Sequence, residues 1–374
     1  MRNSVLAGLC VMYAWIRGKA DRPMDRPRRV LVVQGAKIGD MVCTTPVFRA
    51  IKQAYPECTV WVLGDAVNRE LLNYNSDVDG YIEYERGIAR MIRILRKQKI
   101  DFACMTGPSP EVLAMLYLAG IPLIAAPVIQ NGFSPQETKA YRMIVRLVKS
   151  VPHRMGQYAG REYLRLLESV GIYTDDTTKH LGFSDQATAG IEKFLAAHHV
   201  DSRTDLVVGL FPSTGYKIKQ WPLERFARVA DYLYERHGAR IIVPGTKSDA
   251  GEISAMLAYM KASTPVINAV GMFGLDELKA LIARMHMFVS VDTGPIYIAE
   301  ALGVATVDIV GPMDEREQPS TGQRHAIVSV EREHAELHVM NTAVFDYKEA
   351  IRQRDGTTVD MVTQAIDRVI LEIR

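Results

Sequence analysis

Residues 288–303 limit the fold more than any other stretch of this chain. Phe288-Val289-Ser290-Val291 is a short apolar, β-branched run of the kind buried in a parallel sheet. Thr293 and Gly294 make a sharp turn, and Pro295 suits the first position of a helix, where its missing N–H costs nothing. Ile298, Ala301 and Leu302 give that helix an inward face, and Gly303 can stop it. A strand, turn and helix in this order put backbone N–H groups at a helix start on the C-terminal edge of a sheet. That is a natural seat for a phosphate. Asp292 stands beside it and would repel an anion. Two roles fit it: capping the turn, or accepting hydrogen bonds from a sugar hydroxyl.

The same grammar repeats along the chain. Residues 29–34 (Arg-Val-Leu-Val-Val-Gln) read as a first buried strand, 35–40 as a glycine-bearing turn, 41–55 as a helix and 59–64 as a second strand. Strands are also expected at 101–105 and 123–126, and a helix at 86–99. After a polar stretch at 171–186, read as a linker, a second series begins. It comprises a strand at 206–211, a loop at 212–222, a helix at 223–236, a strand at 240–245, a helix at 275–285, the stretch described above, a strand at 304–310 and a last helix at 358–373. The fold class implied is α/β, with two Rossmann-like doubly wound parallel-sheet domains and ligands held at the C-terminal sheet edges. Gly35 and Gly39 miss the G-x-G-x-x-G fingerprint, so a dinucleotide is not expected.

At 374 residues two domains are the default, and a net charge of +2 argues against a general nucleic-acid binder. Four scattered cysteines (Cys10, Cys43, Cys58, Cys104) make neither a metal spacing nor a disulfide framework, as expected of reduced thiols in a cytosolic protein. The basic charge is local. Residues 86–99 hold six Lys/Arg and no acid, and residues 139–165 hold seven against Glu162 alone. A solvated face explains one such run; two in the same half suggest an anionic acceptor or an acidic membrane surface. Residues 5–16 are apolar and are followed by a cationic segment, with no stretch long enough to span a bilayer. A membrane-interfacial helix and a helix docked on the domain surface both fit.

Three stretches taken together resemble glycosyltransferase family 9, the bacterial heptosyltransferases of the lipopolysaccharide inner core. They are Gly39-Asp40 after the first strand, Pro212-Ser213-Thr214 with Lys219-x-Trp221-Pro222, and Ser290-Val291-Asp292-Thr293-Gly294-Pro295. The resemblance implies a GT-B architecture, inversion at the anomeric carbon, no metal and no cofactor. It implies a nucleotide-sugar donor, typically ADP-heptose, and an anionic lipid-linked saccharide acceptor at the cytoplasmic face of the inner membrane. Carried onto this chain, Asp40 is the catalytic base and Lys219 the phosphate-binding lysine, while Asp292 lies near the donor sugar. Ser213, Thr214, Thr293 and Gly294 belong to the pyrophosphate loops, and Asp249 to the nucleotide ribose. Tyr297 stands where relatives commonly have His; it can donate a hydrogen bond to phosphate but is neutral near pH 7. The implied domains are an apolar and basic extension that is either membrane-interfacial or docked (1–28), an acceptor domain (29–180), a donor domain (187–345) and a C-terminal helix (346–374). Two other readings keep the fold: a nucleotide-sugar epimerase, and a non-catalytic nucleotide-sugar binder.

Overall fold

A computed structural model describes residues 2–373. The chain forms two compact units. The first runs to Lys179 and takes back His338–Val344; the second comprises His180–Leu337 and the chain from Phe345 onward. The return of 338–344 to the first unit was not expected from the sequence, which placed it in the second domain.

The first unit is built on six parallel strands: β1 (Arg29–Val33), β2 (Thr59–Gly64), β3 (Gly80–Glu83), β4 (Phe102–Met105), β5 (Leu123–Gln130) and β6 (Lys149–Arg154), in the order β3-β2-β1-β4-β5-β6. Alternate residues serve opposite faces, as the two-residue period of a strand requires. Leu31, Val33, Leu63, Ala103, Met105, Ile124 and Ala126 join one core cluster, covered by the helices Arg2–Arg17, Ile88–Gln98, Pro110–Ala119 and Lys139–Ile144. Val30, Val32, Val62 and Cys104 between them are equally buried but belong to the other side. A sheet buried on both faces needs continuous apolar runs in its inner strands, and this is why β1, β2, β4 and β5 were legible.

The second unit repeats the plan with β7 (Val207–Phe211), β8 (Arg240–Gly245), β9 (Val266–Val270), β10 (Met287–Val291), β11 (Ala305–Ile309) and β12 (His325–Val328), in the order β12-β11-β10-β7-β8-β9. The helix Leu223–His237 buries Phe226, Val229, Ala230 and Leu233; Gly238, at φ +64°, ends it in the left-handed conformation that favours glycine. The helix Val359–Ile373 buries Val362, Ile366, Val369 and Ile370 against β11 and β12. Each such side chain contributes roughly 1.5–3 kcal/mol of burial. A helix at Asp185–Ala197, capped by the Ser184 hydroxyl accepting from the Ala187 N–H at 3.0 Å, starts inside the stretch read as linker. Among the described residues no helix is long and apolar enough to cross a membrane.

Candidate active site

In each unit the strand order reverses direction between two central neighbours, β1/β4 in the first and β7/β10 in the second. The loops leaving such a pair diverge and open a crevice at the C-terminal edge of the sheet. Ser290 on β10 locks the second pair by donating to the Phe211 carbonyl of β7 at 2.9 Å.

Two loops meet at this edge of the second unit. The loop after β7 carries Ser213 and Thr214, then a single 3-10 turn, Lys217–Lys219, closed by the Lys219 N–H donating to the Tyr216 carbonyl at 2.9 Å. The turn is pinned from both ends. Gln220 donates to Glu252 at 2.7 Å, and Lys217 pairs with the same carboxylate. Behind them, Trp221 is buried, stands edge-on to Phe226 at 5.1 Å and donates from Nε1 to the Thr357 carbonyl at 3.0 Å. Thus anchored, Lys219 reaches across to the loop after β10. Its Nζ lies 2.7 Å from Asp292 Oδ2, with both side chains largely buried.

The other oxygen of Asp292 accepts a hydrogen bond from the Tyr297 hydroxyl. The carboxylate is therefore held by a cation on one side and a phenol on the other, which offsets the cost of burying its charge. Tyr297 can donate its hydroxyl to a phosphate; in this structure the hydroxyl is directed to Asp292. Thr293 is the N-cap of the helix Gly294–Ala301, but its side chain makes no capping bond and Pro295 sits in the first turn. The partly exposed helix start therefore keeps amide capacity for an anion. Ser213 is buried, and among the described residues its hydroxyl has no partner. Such a group costs stability unless something fills it. Thr214 accepts from the Tyr216 N–H at 3.3 Å in a local turn.

Asp249 sits at the end of β8, one strand further along the sheet. Its Oδ2 closes its own turn, accepting from the Thr246 N–H at 2.8 Å and the Thr246 hydroxyl at 2.6 Å. The structure thus brings Lys219, Asp292 and Tyr297 into direct contact and sets Asp249 in a separate capping role. Sequence reasoning missed the acidic ground behind them. Asp308, paired in register with Ser290, and Asp314, gripped by Arg316 at 2.6 Å, are buried and border a small cavity with Asp292 and Tyr297. An acid in the middle of the apolar run Ala-Thr-Val-Asp-Ile was the available signal.

In the first unit, Asp40 lies in the first turn of the helix Ile38–Ala54, where a carboxylate complements the helix dipole. Its carbonyl accepts from the Thr44 hydroxyl at 2.7 Å, and Gln34 braces the turn by bonding Thr44 (3.0 Å) and the Ala36 N–H (3.0 Å). A pocket of about 470 Å³ opens at the β1/β4 edge. Gln34, Gly35, Thr106, Ser109 and Glu111 are among its walls; the turn before Asp40 contributes to them, and Asp40 itself does not.

The sequence pattern of Glycosyltransferase family 9 (heptosyltransferase) matches residues 90–347. Lipopolysaccharide heptosyltransferase 3 of Escherichia coli (strain K12) is 23% identical over 292 residues, covering 74% of this chain and 80% of that protein. Among solved structures, the glycosyl transferase family 9 protein from Veillonella parvula DSM 2008 aligns with a TM-score of 0.74 at 21% identity, covering 92% of this chain and 98% of that one. The E. coli ADP-heptose lps heptosyltransferase II aligns at 0.70 and 19% identity, covering 92% and 99%. These likenesses give the fold class: two Rossmann-like units of the GT-B type.

Proposed function

The chain belongs to glycosyltransferase family 9, and from that premise we propose that it transfers a heptose from ADP-heptose, with inversion, to an anionic lipid-linked acceptor of the lipopolysaccharide core. The observation that carries this reading is the Lys219–Asp292 pair at 2.7 Å, which joins the loops after β7 and β10 at the switch point of the second sheet.

The roles follow from the chemistry. Displacement at the anomeric carbon breaks its bond to the diphosphate, and negative charge grows on the departing oxygen. An ammonium has three donors, so Lys219 can keep Asp292 on one and offer the others to phosphate oxygens. The helix start at Thr293–Gly294 adds amide donors, and the unpartnered Ser213 hydroxyl can supply another. Thr214 shapes the loop that presents them. In this reading the cation and the amides neutralise the leaving group, a task that falls to a divalent metal in other transferases. Asp292, fixed by Tyr297, keeps the lysine in place and has its charge close to the sugar; Asp249 borders the nucleotide ribose. Asp40 takes the proton of the acceptor hydroxyl as that oxygen attacks. Asp40 belongs to the first unit and the donor residues to the second. The acceptor places the enzyme at the cytoplasmic face of a membrane.

The test is ADP release from ADP-heptose with and without a heptose-deficient core lipid. The proposal expects release only with the acceptor, together with one added heptose by mass spectrometry. Consumption of the donor without an acceptor would instead favour an epimerase. Binding without consumption would favour a non-catalytic binder.

A further inference from the structure

The helix Arg2–Arg17 has two unlike faces. Leu6, Ala7 and Cys10 are buried in the first unit's core, with Tyr13 and Ala14 packed against it. Its end is tied down. Arg17 donates to the carbonyls of Tyr117 and Ile121, with its guanidinium 4.5 Å from the centre of the Tyr117 ring, and the Tyr117 hydroxyl donates to the Gly18 carbonyl at 2.6 Å. The strap that follows is held by Ala20, which donates to the Leu147 carbonyl at 2.7 Å and accepts from the Ile124 N–H at 2.9 Å.

The other face is open. Val5, Leu9, Met12 and Ile16 recur at helical spacing, with Trp15 beside them; Trp15 is 89% and Ile16 85% exposed. The helix contains no acid, and its only charged side chains are Arg2 and Arg17 at its ends. Helix surfaces that face water normally carry charge, so this stripe calls for an apolar partner. Its neighbours indicate which. The helix packs on Pro110–Ala119 and Lys139–Ile144, and Pro110–Ala119 in turn packs on Ile88–Gln98. The flanking helices and the strap expose Arg93, Lys97, Lys139, Arg142, Lys19 and Arg22. Three of the cations in this layer pair with acids, Arg2 with Glu111, Arg90 with Glu85 and Arg142 with Glu137; the exposed Lys and Arg side chains still outnumber them.

We propose that this helical layer binds an anionic lipid bilayer. The stripe from Val5 to Ile16 enters the headgroup–acyl boundary, Trp15 sits at the interface, and the flanking Lys and Arg side chains meet lipid phosphates. A second copy of this chain is a poor occupant, because pairing the stripes would set two cationic rims against each other. The assignment rests on the first unit's own residues and stands whether or not the proposed glycosyl transfer is correct.

The test uses the full chain and vesicles of phosphatidylcholine alone or mixed with phosphatidylglycerol. Cosedimentation should be at least about tenfold stronger with the anionic vesicles and should weaken with added salt. The triple variant Met12→Ser, Trp15→Ser, Ile16→Ser should lose about tenfold or more of that binding while melting at the wild-type temperature. Brominated acyl chains should quench tryptophan emission in the wild type, and Trp15→Phe should remove that quenching. Arg93→Gln with Lys97→Gln should weaken binding to anionic vesicles only. Equal sedimentation of the triple variant and the wild type would overturn the proposal, as would no quenching by brominated lipid. So would a lipid-free dimer in velocity sedimentation that the triple variant dissolves, since a second copy would then own the face.

Discussion

Trp221→Ala should destabilise the second unit and loosen the turn that carries Lys219. The indole is buried, stands edge-on to Phe226 and contributes one hydrogen bond to the Thr357 carbonyl. Removing a buried Trp leaves a cavity and costs about 3–5 kcal/mol. The hydrogen bond adds little, because Arg225 also donates to the Thr357 carbonyl, at 2.6 Å, and keeps it satisfied. For a unit of this size each kcal/mol moves the melting midpoint by about 2–4 °C, so the expected drop is about 6–20 °C. Trp221→Phe keeps the ring and most of the burial and should cost about 1–1.5 kcal/mol. Scanning calorimetry of the full chain reads both. A Trp221→Ala midpoint within about 2 °C of the wild type would refute the claim that this residue is the anchor of the Lys219 turn.

Glu162 is buried and accepts from Arg154 (2.7 Å) and Arg165 (3.1 Å). Burial works to raise its pKa, but the hydrogen bonds and charge of Arg154, with Arg165 behind, outweigh it and hold the carboxyl below its ordinary range. A depressed folded value stabilises at pH above the unfolded value of about 4.3, and that stability is lost as the pH falls through the folded one. Glu162→Gln should therefore cost about 1.5–3 kcal/mol at pH 7, and its gap to the wild type should narrow below about pH 4 in denaturant titrations. Burial pushes the thiols of Cys10 and Cys58 up to about 11 and that of Cys104 to about 12. Alkylation of these three at pH 8 should be more than about 100-fold slower in the native chain than in denaturant, counted by mass spectrometry. Asp40→Asn should lower transfer by about 10²–10⁴-fold while ADP affinity stays within about twofold, read by coupled kinetics and calorimetry.

The eight inner strands were legible because a sheet covered on both faces demands unbroken apolar runs such as Val30 to Val33. The four that were missed, β3, β6, β9 and β12, are the edges of the two sheets. Edge strands are short and half-wet, and β6 carries Pro152 among Lys149, His153 and Arg154. The N-terminal helix was anticipated as either docked or interfacial, since its sequence is apolar nearly all round. Only packing distinguishes the face bearing Leu6 and Cys10 from the one bearing Met12 and Ile16. At the candidate site, Lys219 and Asp292 were singled out from motifs 73 positions apart. Their contact depends on β7 lying beside β10, which local patterning does not encode. The acid at Asp308 escaped notice because its strand reads as ordinary core.

The proposed transfer depends on Lys219 holding a diphosphate at the β7/β10 edge. Calorimetric titration of ADP into the wild type and into Lys219→Met tests this directly. The predicted result is binding by the wild type and a loss of about 10–100-fold in affinity for the variant, the equivalent of one charge-assisted contact of about 1.5–3 kcal/mol. Equal affinities, in a variant that melts as a folded protein, would contradict it.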